Sequence, residues 1–219
     1  MSIYLENIKT IIETYPFKYS TYKLFDDKLC FDLIENFKII ESKFKNIKGL
    51  SKSRIMITIE GDTLNGLNFD KYEYLKDIEP LNSILNIYKD KICRKIYEKY
   101  NNIKKDIIKF NIMLVKDIKN YSIGPHTDSY KRNVTMLTYL VPEKNKNKNL
   151  GLSIYKDKIN RHKDKWYKTH YSFENFEKIK QIDYYNGSTM DFKVCKNSFH
   201  GVEKIEDSER YSIQLFILN

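Results

Sequence analysis

Arg210-Tyr211-Ser212-Ile213-Gln214-Leu215-Phe216-Ile217-Leu218 is the most strictly patterned run in this chain. Tyr211, Ile213, Leu215 and Ile217 make one apolar face, while Arg210, Ser212, Gln214 and Phe216 alternate with them. A period of two predicts a strand, and in an extended chain alternate side chains point to opposite sides. One side meets apolar packing; the other carries a guanidinium and a hydroxyl into the fold. A cation inside a barrel is costly unless an anion meets it. An arginine fork can take a carboxylate bidentately, with Ser212 adding a hydrogen bond. The competing reading pairs Arg210 with a structural Asp or Glu at the surface.

Working back along the chain, His200 lies ten residues before Arg210, and His126-Thr127-Asp128 lies further upstream. Two imidazoles and one carboxylate from separated segments form the facial triad that holds non-haem Fe(II) with open positions. With four His and fifteen Asp, an HxD triplet arises by chance in roughly a quarter of such chains, so the triplet alone is weak. A second one, His162-Lys163-Asp164, is present. It sits among Lys156, Lys158, Arg161 and Lys165, where a divalent cation is repelled, and reads as a solvated loop. His126 and Asp128 instead follow a strand pattern, and residues i and i+2 on extended backbone reach the same side. His126, Asp128 and His200 are therefore the candidate metal ligands.

The surrounding elements predict a mainly β fold with helices ahead of it. Residues from about Lys28 to Ile47 read as an amphipathic helix, with Phe31, Ile34 and Phe37 near helical spacing. Ser53 to Glu60 reads as a strand ended by a turn at Gly61-Asp62. A long helix follows from about Pro80 to Lys105, with Leu81, Ile84, Leu85, Tyr88, Ile92, Ile96 and Tyr100 on its stripe. From Lys109 the chain breaks into short β-rich runs: Phe110–Val115, Ser122–Asp128, Asn133–Val141, Leu150–Tyr155, Gln181–Tyr185, Thr189–Val194, Gly201–Glu203 and Arg210–Leu218. That number and length imply a sandwich or barrel. The division expected is one domain over 1–219, with 1–108 as support and 109–219 as the catalytic core.

Composition narrows the class. The scarcity of Gly (7) and Pro (4) excludes collagenous and low-complexity chains. The sequence near Met1 lacks the basic start and apolar run of a secretory signal, and no stretch approaches the ~20 apolar residues of a membrane span. Cys30, Cys93 and Cys195 suit free thiols in a reducing compartment, so a cytoplasmic location is expected. A net charge of +10 invites a nucleic-acid reading. Against it, 34 Lys are spread through the chain and only five Arg are present, whereas arginine is the usual residue for bidentate phosphate and base contacts.

The pattern HxD…H…RxS, in His126, Asp128, His200, Arg210 and Ser212, resembles that of the Fe(II)/2-oxoglutarate-dependent oxygenases, in the branch similar to prolyl hydroxylases. The resemblance covers about Lys109 to Asn219. It implies an α+β fold with a double-stranded β-helix (jelly-roll) core and N-terminal helices packed on one sheet. It further implies His126, Asp128 and His200 as iron ligands, and Arg210 and Ser212 on the far carboxylate of 2-oxoglutarate. Tyr139, in the strand Val134–Leu140, matches the family tyrosine on the same carboxylate. The implied chemistry is hydroxylation driven by oxidative decarboxylation of 2-oxoglutarate with O2, with succinate and carbon dioxide as products and ascorbate admitted as a reductant. Related halogenases vacate the carboxylate position, so Asp128 favours hydroxylation. Nucleic-acid demethylases of the superfamily carry a second Arg where this chain has Phe216.

The prime substrate implied is a peptide or a small molecule, with nucleic acid disfavoured. Three other readings stay open at this level: a silent cupin-like binding module or a different metal at the same triad, a zinc site from His162 and His170, and a lysine-rich polyanion-binding protein.

Overall fold

The strand Arg210–Leu218 forms as expected and lies at the middle of a seven-stranded sheet. The computed structural model describes residues 2–9, 13–46, 52–145, 149–159 and 170–219. Within them the strands are β1 (Tyr19–Lys23), β2 (Arg54–Asp62), β3 (Gly66–Leu67), β4 (Lys109–Asp117), β5 (Ile123–His126), β6 (Arg132–Leu140), β7 (Ser153–Asp157), β8 (Phe176–Gln181), β9 (Ser188–Lys193), β10 (His200–Val202) and β11 (Arg210–Leu218). The larger sheet has the order β1-β9-β6-β11-β4-β2-β3 and the smaller β5-β10-β7-β8, all pairs antiparallel. Facing each other, they make the jelly roll.

The two faces of β11 go where its alternation sends them. Tyr211, Ile213, Leu215 and Ile217 share a core with the helices α1 (Asp27–Ile39), α2 (Leu81–Ile87) and α3 (Cys93–Asn101). The opposite face looks between the sheets, where Tyr121, Leu137, Tyr139, Ile154, Met190, Phe192 and Val202 form a second core. Helix α1 is started by Asp26, whose side chain accepts the Leu29 N–H at 2.7 Å. It buries Leu29, Cys30, Leu33, Ile34 and Phe37, whereas Phe31, expected on the buried stripe, is exposed. The helix also stops at Ile39, giving way to a 3-10 turn at Glu41–Lys43 rather than continuing to Ile47.

The long helical pattern from Pro80 is realised as α2 and α3 joined by a π turn at Tyr88–Ile92. Its stripe steps by four at Tyr88, Ile92, Ile96 and Tyr100. On an ideal helix each such step drifts by about 40°, and the wider π turn absorbs part of that drift. Tyr88, Ile92 and Ile96 are all fully buried as a result. Asn102, in the left-handed conformation at φ 55, caps the end.

Two strands depart from expectation. The run expected at Gln181–Tyr185 lies earlier, at Phe176–Gln181. As the edge of the smaller sheet, β8 carries exposed Glu177, Lys178 and Lys180, charges that hide a strand pattern while protecting an edge. Ile182 and Tyr184 serve the interior core from a non-strand segment. Strand β2 continues through Gly61 and Asp62, and Asp62 Oδ1 then accepts the N–H groups of Leu64 and Asn65 to make the turn. Sheet strands β1, β2 and β3 all come from the first 108 residues, with β1 and β3 not foreseen.

Candidate metal and anion site

His126 ends β5 and His200 begins β10, and the two are direct cross-strand partners. Their rings lie 4.4 Å apart between centroids. Each Nδ1 faces the carbonyl two residues upstream at 2.9 Å, Gly124 O for His126 and Ser198 O for His200. An imidazole nitrogen facing a carbonyl carries the hydrogen, so each Nε2 keeps a free lone pair. Asp128 lies two residues past the end of β5. One ligand atom from each of His126, Asp128 and His200 falls within 4.8 Å of the others.

The carboxylate is held from behind. Arg132 Nη1 donates to Asp128 Oδ1, and Thr135 Oγ1 donates to Oδ2 at 2.5 Å. The Arg132 guanidinium stacks 3.6 Å from the ring centroid of Phe216, so the β11 position without an arginine serves as a platform for one from β6. Burial alone would raise the Asp128 carboxyl; the Arg132 charge, helped by the Thr135 hydrogen bond, overcomes it and keeps the group ionised. Burial, then the neighbouring His200, pulls His126 below its ordinary range and keeps it neutral. These are the protonation states that ligate a divalent cation. His170 stands edge-on to His126 at 4.7 Å, held there as Tyr171 N–H donates to Pro125 O at 3.0 Å.

Arg210 is almost wholly buried at the other end of β11. Its Nε and Nη2 donate to Asp117 Oδ2 at 3.0 and 2.6 Å, and Nη1 donates to Leu150 O at 2.8 Å. A carboxylate partner thus exists, although it is buried rather than at the surface. Arg54 takes the same carboxylate through Nε at 2.5 Å and Nη2 at 2.9 Å. The two arginines pull Asp117 below its ordinary value against the effect of burial. Two cations and one anion leave a single positive charge between the sheets. Ser212 Oγ accepts from Gln214 Nε2 at 3.3 Å, and the Tyr139 hydroxyl oxygen accepts the Leu152 N–H at 2.7 Å, leaving its own hydrogen to donate.

The six residues singled out by sequence thus fall into two groups on the barrel interior, His126, Asp128 and His200 in one and Arg210, Ser212 and Tyr139 in the other. The second HxD triplet, His162 to Asp164, lies outside the described residues. Sequence reading missed Arg54, Asp117, Arg132 and Thr135, and offered His170 only for a zinc site with His162, which lies outside the described residues. A signal for two of these was present: in a chain with 34 Lys and five Arg, Arg54 and Arg132, like Arg210, make contacts that a lysine cannot reproduce.

Comparison with known proteins finds no matching family model and no matching curated protein. Solved structures do match. A prolyl 4-hydroxylase from Phytophthora capsici aligns with a TM-score of 0.58 at 13% identity over 98% of this chain and 62% of that one. A prolyl hydroxylase from Trichoplax adhaerens, solved with a hypoxia inducible factor peptide fragment, aligns at 0.57 and 14% over 91% and 83%. A dioxygenase for auxin oxidation from Arabidopsis thaliana, solved with 2-oxoglutarate, aligns at 0.52 and 14% over 98% and 87%. The fold is that of the 2-oxoglutarate–Fe(II) oxygenases, in the form shared by prolyl hydroxylases.

Proposed function

We propose that the protein is an Fe(II)- and 2-oxoglutarate-dependent dioxygenase that hydroxylates an unactivated C–H bond of a peptide side chain or small metabolite. The observation that carries this reading is the His126–Asp128–His200 cluster, with both Nδ1 atoms committed to carbonyls and both Nε2 atoms left as donors. Two imidazoles and one ionised carboxylate, all from one face, fit a non-haem iron site with open positions. Bound iron with 2-oxoglutarate and O2 would supply the oxidising chemistry, releasing succinate and carbon dioxide.

The chain's own residues supply position and charge. Gly124 O and Ser198 O fix the tautomer and orientation of the two imidazoles, and Arg132 and Thr135 fix the carboxylate. Arg210, with Ser212 and the free hydrogen of Tyr139, would receive the far carboxylate of the cosubstrate. Apolar side chains between the sheets keep bulk water from the reacting centre. The neighbouring folds whose solved complexes hold a peptide fragment or 2-oxoglutarate are consistent with this assignment.

The test is anaerobic visible absorption of the protein with Fe(II) and 2-oxoglutarate. The expected result is a charge-transfer band that disappears in His126→Ala. Iron-loaded protein without a band would overturn the reading in favour of a silent binding module.

A further inference from the structure

We propose that Arg54 is a second arginine of the anion site: with Arg210 it flanks Asp117, and the one positive charge left over holds the far carboxylate of a 2-oxo diacid. This rests on the oxygenase reading and extends the site to a strand from the first half of the chain.

Arg54, Asp117 and Arg210 stand in register on three adjacent strands, β2, β4 and β11, with Asp117 between the arginines. Side chains paired in this way share one face of the sheet, and for Arg210 that face looks between the sheets. Asp117 and Arg210 are buried, and the Arg54 side chain is 15% exposed. A structural ion pair needs one cation for one anion. Among the described residues no second carboxylate pairs with either arginine.

The donor count says the same. Arg54 uses only Nε and Nη2, both on Asp117, and Arg210 uses Nε and Nη2 on Asp117 and Nη1 on Leu150 O. Of five N–H groups on each guanidinium, unassigned donors remain on both. Tyr121 lies under both cations, its ring centroid 4.3 Å from the Arg54 guanidinium and 5.7 Å from that of Arg210. It supports the pair without neutralising it. A group of charge −1 with two acceptor oxygens satisfies both the residual charge and the open donors. A carboxylate is such a group.

The experiment is anaerobic calorimetric titration of Fe(II)-loaded protein with 2-oxoglutarate and with 2-oxobutyrate, which lacks the far carboxylate. Arg54→Met is expected to weaken 2-oxoglutarate by roughly ten- to a hundredfold and to leave 2-oxobutyrate nearly unchanged. Both titrations read the same folded population, so a stability defect does not imitate the change in preference. An Arg54→Met protein that keeps the wild-type ratio of the two affinities overturns the assignment alone. Wild-type protein that binds neither acid overturns the oxygenase reading, and this assignment with it. Should Arg54→Met not fold, Arg54→Lys is titrated instead. Its ammonium cannot reproduce the fork, so part of the preference must be lost, and an unchanged ratio overturns the assignment.

Discussion

Single side chains decide whether this site can hold a cation and an anion. Arg132 touches Asp128 rather than the face shared with His126 and His200, so its effect runs through the candidate ligand it orients. Arg132→Leu keeps an apolar contact on Phe216 but removes the hydrogen bond. Metal affinity is expected to fall roughly 10- to 100-fold, read by competition with a chelator while circular dichroism stays that of the wild type. Tyr139→Phe deletes the hydroxyl that accepts the Leu152 N–H inside a fully buried setting. Leaving that N–H unpaired should cost about 1–3 kcal/mol in urea unfolding. The candidate ligand residues were legible because spacing and residue type suffice to nominate them. Asp117 was not, because one aspartate among fifteen has no local mark; only its place opposite both Arg54 and Arg210 gives it meaning.

Elements convert those residues into a site by fixing register and close approach. Gly124 lies where a Cβ would come within 2.1 Å of Tyr171 O, so the segment carrying His170 rests directly on the strand carrying His126. Gly124→Ala must push that segment away. The expected outcome is weaker metal binding with the sheet intact, seen by the same chelator competition. On the far side of the large sheet, α2 and α1 present one buried face each. Leu85→Ala should cost about 2–5 kcal/mol, whereas Ile39→Ala, on an exposed side chain, should stay within roughly 0.5 kcal/mol of the wild type. A denaturation series that ranked them the other way would refute the helix orientation. Strands with clear alternation, such as β11, could be read from sequence almost to the residue. Edge strand β8 could not, because edge charges mask the period that reveals a central strand.

At the scale of the whole molecule, buried charges couple stability to pH with opposite signs. Asp117 titrates below its ordinary value of 3.8 in the folded protein. It therefore contributes stability above 3.8, and that contribution is lost as pH falls through the folded value. Comparing Asp117→Asn with the wild type in urea should show a stability gap that is large at pH 7 and narrows towards pH 3. Asp191, buried behind the sheet, is raised by burial despite Lys99 and the hydroxyls of Tyr22 and Tyr100. Its contribution is present below 3.8 and lost as pH rises through its folded value, so it offsets part of the acid loss. By itself, the sequence determined a sandwich or barrel preceded by helices and nominated His126, Asp128, His200, Arg210 and Ser212; the jelly roll and Tyr139 came only with the family resemblance those motifs carry. Period-two alternation and motif spacing are local properties that survive in one dimension. Only the tertiary structure decided that Arg54 shares Asp117 with Arg210, that Arg132 supports Asp128 from Phe216, and that His170 stands beside His126. Arg132 and Asp128 are only four residues apart, but the stacking on Phe216, like the Arg54 and His170 contacts, joins residues far apart in the chain and leaves no spacing to read.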